Sequence, residues 1–119
     1  MKLAIVGGRD YADYDNFRRI VDEYIDKHGV PAVIISGGAT GVDTFAEQYA
    51  YENDIPIDAF LPDWYKNGKY DSEAGKIRNT DIIMNSTHVL ALPTDKSRGT
   101  YDSIIKAKNM GKMLTVIKV

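Results

Sequence analysis

The segment from Ser36 to Asp43, with the sequence Ser-Gly-Gly-Ala-Thr-Gly-Val-Asp, constrains the fold of this chain more than any other. It follows an apolar run at residues 32–35, which predicts a buried strand. The residues after it predict a helix, because apolar side chains recur at the spacing of one helical face: Val42, Phe45, Ala46, Tyr49 and Ala50. A strand, a tight turn and a helix in this order form the repeating unit of parallel α/β proteins.

The same segment predicts a phosphate site. Gly37, Gly38 and Gly41 let the backbone approach a ligand closely, and the free N–H groups at a helix N-terminus favour negative charge. The alternative is a turn that only caps the helix, since Thr40 and Asp43 have the spacing of a capping box. Three glycines within five residues exceed what a cap needs, so we favour the functional turn.

Strand and helix patterns alternate along the rest of the chain. Further apolar runs predict strands at residues 3–6, 55–60, 88–92 and 113–119, and helices are predicted around residues 17–25, 72–85 and 100–110. This alternation favours parallel strands joined by right-handed crossovers. The predicted fold is a single α/β domain over residues 1–119, a three-layer Rossmann-like sandwich whose mainly parallel five-stranded sheet has helices on both faces.

In such sheets, ligands bind beyond the carboxyl ends of the strands, at the topological switch point. This rule brings the loops at residues 7–10, 36–43, 61–70 and 93–102 to one rim. The candidate ligand-binding residues come from these loops and from the helix predicted at residues 72–85. They are Gly7, Gly8, Arg9, Ser36, Gly37, Gly38, Gly41, Asp43, Trp64, Arg78, Asn79, Ser97, Gly99 and Thr100.

Two further stretches of this rim suit a nucleotide. The segment Ser97-Arg98-Gly99-Thr100-Tyr101-Asp102 would place N–H groups and hydroxyls beside a phosphate, although a capped helix explains it equally well. Between Trp64 and Asn79, aromatic residues alternate with basic ones, which suits the stacking of a base with phosphate partners. The alternative for this second stretch is a surface loop that Trp64 anchors.

The composition excludes several classes of protein. The chain has no cysteine and two isolated histidines, so neither disulfides nor a transition-metal site are expected, and no cofactor is predicted. A net charge of −2 argues against a broad basic surface for nucleic acid. The longest apolar runs have the length of strands and no signal-peptide pattern is present, so we expect a cytoplasmic protein without a membrane partner.

Five motifs in register resemble the SLOG superfamily, whose name joins the Smf/DprA and Lonely Guy proteins. They are Gly7-Gly8-Arg9-Asp10, the segment from Ser36 to Asp43, Asp63-Trp64, the segment from Ala74 to Asn79, and the segment from Ser97 to Asp102. Within the superfamily the chain is similar to the small YspA-type branch of bacteria and phages, whose function is unknown. The resemblance covers essentially the whole chain. It implies a Rossmann-like fold that binds a nucleotide or nucleotide-derived ligand, and family habit suggests a homodimer.

The resemblance leaves three functions open. The first is a module that senses or sequesters a nucleoside monophosphate, NAD or an ADP-ribose species. The second is an N-glycosidase that acts on nucleoside monophosphates, as the Lonely Guy phosphoribohydrolases do. Arg78 is similar in placement to their catalytic arginine, and Asp102 stands one residue early relative to the final glutamate of their P-G-G-x-G-T-x-x-E signature, so both are candidate catalytic residues. The third is single-stranded DNA binding of the DprA type, less favoured because the chain is acidic overall.

Overall fold

Strands and helices alternate in the computed structural model, which describes residues 1–119. The elements are β1 (Lys2–Gly7), α1 (Tyr14–His28), β2 (Val33–Ser36), α2 (Val42–Glu52), β3 (Ile57–Ala59), β4 (Tyr65–Lys66), β5 (Lys69–Tyr70), α3 (Ala74–Asn85), β6 (His88–Leu92), α4 (Arg98–Asn109) and β7 (Met113–Val116). The main sheet has five strands in the order β3-β2-β1-β6-β7, and every pair in it is parallel. This topology confirms the predicted Rossmann-like α/β fold.

Each face of the main sheet is covered by two helices. Along β1, Leu3 and Ile5 pack with α1 and α2, whereas Ala4 and Val6 pack with α3 and α4, because successive side chains of a strand point to opposite faces. One core lies between the sheet and α1 with α2, and the other lies between the sheet and α3 with α4, which gives a three-layer sandwich. None of the helices is long and apolar enough to cross a bilayer.

The long connection between β3 and α3 contains a hairpin that was not predicted. Strands β4 and β5 pair antiparallel, with Tyr65 opposite Tyr70 and Lys66 opposite Lys69. Asn67 and Gly68 at its tip both have positive φ angles, 54° and 77°, as a two-residue type I′ turn requires. The edge strands β3 and β7 are shorter than the predicted runs at residues 55–60 and 113–119.

β1 lies at the topological switch point of the sheet. It pairs with β2 on one side and with β6 on the other. The turn after β2 leads to α2 on one face, and the turn after β6 leads to α4 on the opposite face. The chain therefore opens a crevice at the carboxyl ends of these strands, where the rule for open α/β sheets puts a ligand.

Candidate functional site

A cleft of about 680 Å³ occupies this crevice. Its walls come from the loop after β1, the turn after β2, one face of α3, and the turn that begins α4. The volume falls in the range of small-molecule sites, roughly 300–1,000 Å³. The lining is unusually polar for such a site: its hydrophobic residues are Val6, Ala39 and Ile82, and none is aromatic.

Most of the predicted ligand-binding residues line this cleft. They are Gly7, Gly8, Arg9, Gly37, Asp43, Arg78, Asn79, Ser97, Gly99 and Thr100. Ser36, Gly38, Gly41 and Trp64 do not line it. Ser36 is buried beneath the turn after β2, and Trp64 stacks on Tyr70 of the hairpin with ring centroids 6.1 Å apart.

The turn after β2 is fastened to the loop after β1. Gly41 has a φ of 72°, and a Cβ at this position would overlap the carbonyl oxygen of Gly8. The N–H of Val42 donates to that same oxygen at 3.2 Å. Gly41 is the N-cap of α2 and has no side-chain cap, while the Thr40 hydroxyl donates to the carbonyl of Arg9 at 3.5 Å. The capping box that Thr40 and Asp43 were alternatively predicted to form is therefore not present.

This turn has fewer free donors than its glycines suggest. The N–H of Gly38 donates to Ser36 Oγ at 3.2 Å, and the N–H of Ala39 donates to Asp43 Oδ2 at 3.1 Å. The turn therefore presents the Asp43 carboxylate to the cleft, together with those backbone N–H groups of the turn that have no partner in the protein.

Asp43 and Arg78 lie side by side on the cleft wall, each more than nine-tenths buried. They flank Gly37, where an added Cβ would lie 2.6 Å from Arg78 Nη1 and 2.8 Å from Asp43 Oδ2. Arg78 Nη1 donates to the Gly37 carbonyl at 2.5 Å, and Nε donates to Asn79 Oδ1 at 3.0 Å. Arg78 Nη2 and Asp43 Oδ1 have no hydrogen-bond partner within the protein.

Burial controls the protonation of both groups. It raises the pKa of the Asp43 carboxyl, an effect that the Ala39 N–H and the Arg78 charge partly oppose. Burial likewise lowers the pKa of the Arg78 guanidinium, while the neighbouring carboxylate acts to raise it. Each charge therefore favours the ionised form of the other.

The turn before α4 is tied to the loop after β1. Thr94 Oγ1 lies 2.7 Å from Asp10 Oδ1 and 2.7 Å from Ser97 Oγ. A carboxylate only accepts, so the Thr94 hydroxyl donates to Asp10 and the Ser97 hydroxyl donates to Thr94. The backbone N–H of Thr94 also donates to Ser97 Oγ, at 2.6 Å. With its hydroxyl used in this way, Ser97 makes no cap bond to α4.

The first turn of α4 consequently presents free donors to the cleft. Thr100 and Ser103 line the cleft and are more than nine-tenths buried, and neither hydroxyl has a hydrogen-bond partner in the protein. The N–H groups of Arg98, Gly99 and Thr100, which also line the cleft, have no partner in the protein, as is usual at an uncapped helix N-terminus. Ser103 was not predicted, although its position three residues after Thr100 puts it on the same helical face.

Asp102, the second candidate catalytic residue, does not line the cleft. Its carboxylate accepts from Lys106 Nζ at 2.7 Å and from Asn79 Nδ2 at 3.2 Å. Arg78, the first candidate, does line it. The two are connected only through Asn79. No group of three or more His, Asp or Glu side chains is close enough together to hold a metal ion.

The fold and the cleft together define a Rossmann-like α/β protein with a polar site at the switch point of its sheet. The chain belongs to the YAcAr family, described as the YspA, cpYpsA-related SLOG family, whose model matches residues 1–66. This match confirms the SLOG resemblance. The chain is also similar to the Gene 61 protein of Mycobacterium phage D29, with 25% identity over 116 residues that cover 92% of this chain and 90% of the phage protein.

Solved structures share the fold. DNA processing protein A (DprA) from Streptococcus pneumoniae matches with a TM-score of 0.77 and 20% identity over 97% of this chain and 49% of its own. DprA from Helicobacter pylori, solved for its single-stranded DNA binding mode, has a TM-score of 0.74 and 24% identity over 98% and 64%. A protein named TM1055 matches with a TM-score of 0.67 and 22% identity over 95% and 71%. The chain thus spans about half of the first DprA and under two thirds of the second.

Proposed function

We propose that this chain binds a nucleotide or a nucleotide-derived ligand in the cleft, as a sensor or a sequestering module. The ligand is a nucleoside monophosphate, NAD or an ADP-ribose species. The observation that carries the proposal is the first turn of α4, where the hydroxyls of the largely buried residues Thr100 and Ser103 have no partner in the protein and the helix has no side-chain cap. A phosphate supplies acceptors for all of these donors. Membership of a SLOG family supports a nucleotide-related ligand.

The phosphate is assigned to α4 in preference to the turn after β2. A phosphate oxygen about 4 Å from the Asp43 carboxylate would be repelled by roughly 4 kcal/mol at an effective dielectric constant of about 20. Arg78 offsets part of this repulsion. The first turn of α4 contains no carboxylate. Of the two carboxylates on the same wall, Asp10 accepts from Thr94 and Asp95 pairs with Lys118. Lys96 and Arg98 lie exposed beside them.

The proposal is binding without cleavage of the N-glycosidic bond. A general acid or base must lie within hydrogen-bond reach of the atoms that react. Asp102, the carboxylate that the Lonely Guy resemblance suggests for this role, is held by Lys106 and Asn79 outside the cleft, so the resemblance gives the hydrolase no catalytic carboxylate at the site.

Replacing Thr100 with valine tests the phosphate site. The variant keeps the shape of the side chain but loses one hydrogen bond to a charged group, which is worth about 1.5–3 kcal/mol. We expect its dissociation constant for AMP or ADP-ribose, measured by calorimetry, to rise roughly 10- to 150-fold. Thr115→Val, in β7 and away from the cleft, is the matched control and should bind as the unmodified protein does. Equal affinities for the two variants would contradict the assignment of the phosphate to α4. Chromatography of the same samples would separately detect any base released by hydrolysis.

A second candidate function is the binding of single-stranded nucleic acid, which the hairpin favours. Tyr65 and Tyr70 are about two-thirds exposed and lie opposite each other, so they share one face of the hairpin. Lys66 and Lys69 form the neighbouring pair and project from the other face. Exposed rings beside lysines suit the stacking of bases with phosphate contacts. The fold shared with a DprA solved for its single-stranded DNA binding mode supports this candidate.

The hairpin candidate predicts weak binding with a shallow salt dependence. Two phosphate contacts to a single strand give a slope of log K against log salt of about −1.4. Tyr70→Ala should weaken the binding of a thymidine oligonucleotide roughly 5- to 150-fold, since stacking is worth about 1–3 kcal/mol per base. Tyr51→Ala is the control, because Tyr51 is also an exposed tyrosine but lies on α2, outside the hairpin, with 87% of its surface exposed. Fluorescence anisotropy over a salt series measures both quantities, and an unchanged Tyr70→Ala affinity would argue against the hairpin.

A further inference from the structure

We infer that the cleft recognises the sugar-phosphate part of its ligand, that Asp43 and Arg78 bind a hydroxyl of a ribose, and that the base makes no stacking contact there. This inference rests on the proposed nucleotide function. It adds which part of the ligand the protein recognises and which two residues recognise it.

The lining of the cleft carries the first half of the inference. Proteins hold bases on aromatic rings or between apolar side chains, and each stacked base contributes substantially to affinity. No aromatic side chain lines this cleft, and its apolar residues are limited to Val6, Ala39 and Ile82. The remaining surface is made of backbone, hydroxyls, amides and charges. Such a surface suits phosphate and sugar oxygens, which leaves the base at the mouth or outside.

The free atoms of the buried pair carry the second half. Asp43 Oδ1 is an acceptor without a partner, and Arg78 Nη2 is a donor without a partner. Both residues line the cleft and neither free atom is sealed from solvent, so a ligand in the cleft can reach both atoms. A hydroxyl satisfies both at once, because it donates to the carboxylate and accepts from the guanidinium.

Other ligand groups fit this pair less well. The edge of a guanine needs both carboxylate oxygens of Asp43, and Oδ2 would have to share its lone pairs with the Ala39 N–H. A second phosphate would be repelled by Asp43. A ribose, by contrast, offers two vicinal hydroxyls close to its phosphate.

Asn79 fixes the position of the Asp43 and Arg78 side chains relative to the first turn of α4. Its Oδ1 accepts from Arg78 Nε at 3.0 Å, and its Nδ2 donates to the Gly99 carbonyl at 3.3 Å. One side chain thus fixes the spacing between the wall that carries Asp43 and the first turn of α4. Asn79 is a positioning residue in this arrangement, and the ligand lies across it from Thr100 to Asp43.

The test compares ligands on the unmodified protein by calorimetry. We expect ribose 5-phosphate to bind within about fivefold of AMP, because the base contributes little. We expect 2′-deoxy-AMP or 3′-deoxy-AMP to bind at least tenfold more weakly than AMP, since one hydrogen bond to a buried charged group is lost. If AMP binds but ribose 5-phosphate does not, or if both deoxy forms equal AMP, the inference is overturned while the proposed function stands. If none of these phosphates binds, the inference fails, and the proposed function fails with it when NAD and ADP-ribose do not bind either.

A variant then assigns the preference to Asp43. Asp43→Ala should bind AMP and the affected deoxy form with equal affinity, so that the at least tenfold ratio falls to about one. Asp58→Ala, an exposed carboxylate in β3 outside the cleft, is the matched control and should keep the ratio. Circular dichroism checks that each variant is folded. An unchanged ratio in a folded Asp43→Ala protein would overturn the role of Asp43, and the ligand comparison on the unmodified protein decides the rest even if that variant unfolds.

Discussion

The Arg78→Ala variant is expected to lose about 3–5 kcal/mol of unfolding free energy at neutral pH, because it removes two hydrogen bonds from a charged donor, each worth about 1.5–3 kcal/mol. The loss has two sources. The Gly37 carbonyl and Asn79 Oδ1 lose their donors, and the Asp43 carboxylate loses the cation beside it. A domain of this size has about 5–15 kcal/mol of stability in all, so the variant will be close to unfolding.

The loss in Arg78→Ala depends on pH in a direction that identifies its cause. Burial already raises the pKa of Asp43, and removing Arg78 raises that pKa further. A carboxyl whose folded pKa lies above its unfolded value binds a proton more tightly in the folded state. The unfolding free energy therefore falls as pH rises from the unfolded pKa, about 3.9, to the folded one, and is level above that. Relative to the unmodified protein, the variant should recover part of its loss when the pH is lowered from 8 to 5.

Urea denaturation at both pH values measures this effect. Asp43→Asn in the Arg78→Ala background should abolish the pH-dependent part of the loss, because the buried carboxyl is gone. Arg19→Ala is the matched control, since Arg19 pairs with Glu23 on the exposed surface of α1 and should cost less than about 1 kcal/mol. A loss in Arg78→Ala that is the same at pH 5 and pH 8 would mean that Asp43 is not its source.

Gly41→Ala is expected to destabilise the protein by several kcal/mol and to abolish ligand binding. A side chain is strained at Gly41 by about 1–3 kcal/mol, because its φ of 72° and ψ of −126° form a combination that only glycine adopts readily. The added Cβ would also overlap the Gly8 carbonyl and lie 2.6 Å from the Arg9 carbonyl, so two loops of the cleft must separate. Backbone cannot move aside as a flexible side chain can.

Gly111→Ala separates the two contributions to this loss. Gly111 has a nearly identical φ of 69°, but an added Cβ there meets nothing within 4 Å. Its variant should lose only the conformational part, about 1–2 kcal/mol, and should bind AMP normally. We expect Gly41→Ala to exceed it by at least about 2 kcal/mol in chemical denaturation. Equal losses would show that the contact between the two loops is not important.

The layers of this fold were predictable because the apolar runs are long and distinct. Runs at residues 3–6 and 88–92 became the central strands β1 and β6, whose side chains are buried on both faces. The hairpin was missed because strands of two residues show no measurable periodicity. Its only signal was Asn67-Gly68, the preferred pair of a type I′ turn.

The rim was also predictable, but the chemistry of individual groups was not. Glycines after β1 and β2 indicated where the backbone approaches a ligand. Nothing in the sequence could show that Asp43 turns back to accept from Ala39, because that depends on one side-chain rotamer. The pairing of Asp102 with Lys106 had a signal in the spacing of four residues, which is one turn of a helix. The role of each site residue stays a prediction for the experiments above.

The central position of β1 has a consequence for how the molecule is made. Its partner β2 follows after one helix, whereas β6 is synthesised much later, and Asp10 and Thr94, which join the two sides of the cleft, are 84 residues apart. Pairings between such distant segments are slow, because a long loop must close before the contact is formed. A nascent chain that ends before β6 can pair β1 with β2 and β2 with β3, but it lacks the α4 wall of the cleft. A ligand that spans the cleft would therefore bind only chains whose synthesis has passed the start of α4, and it would shift the folding equilibrium of those chains alone.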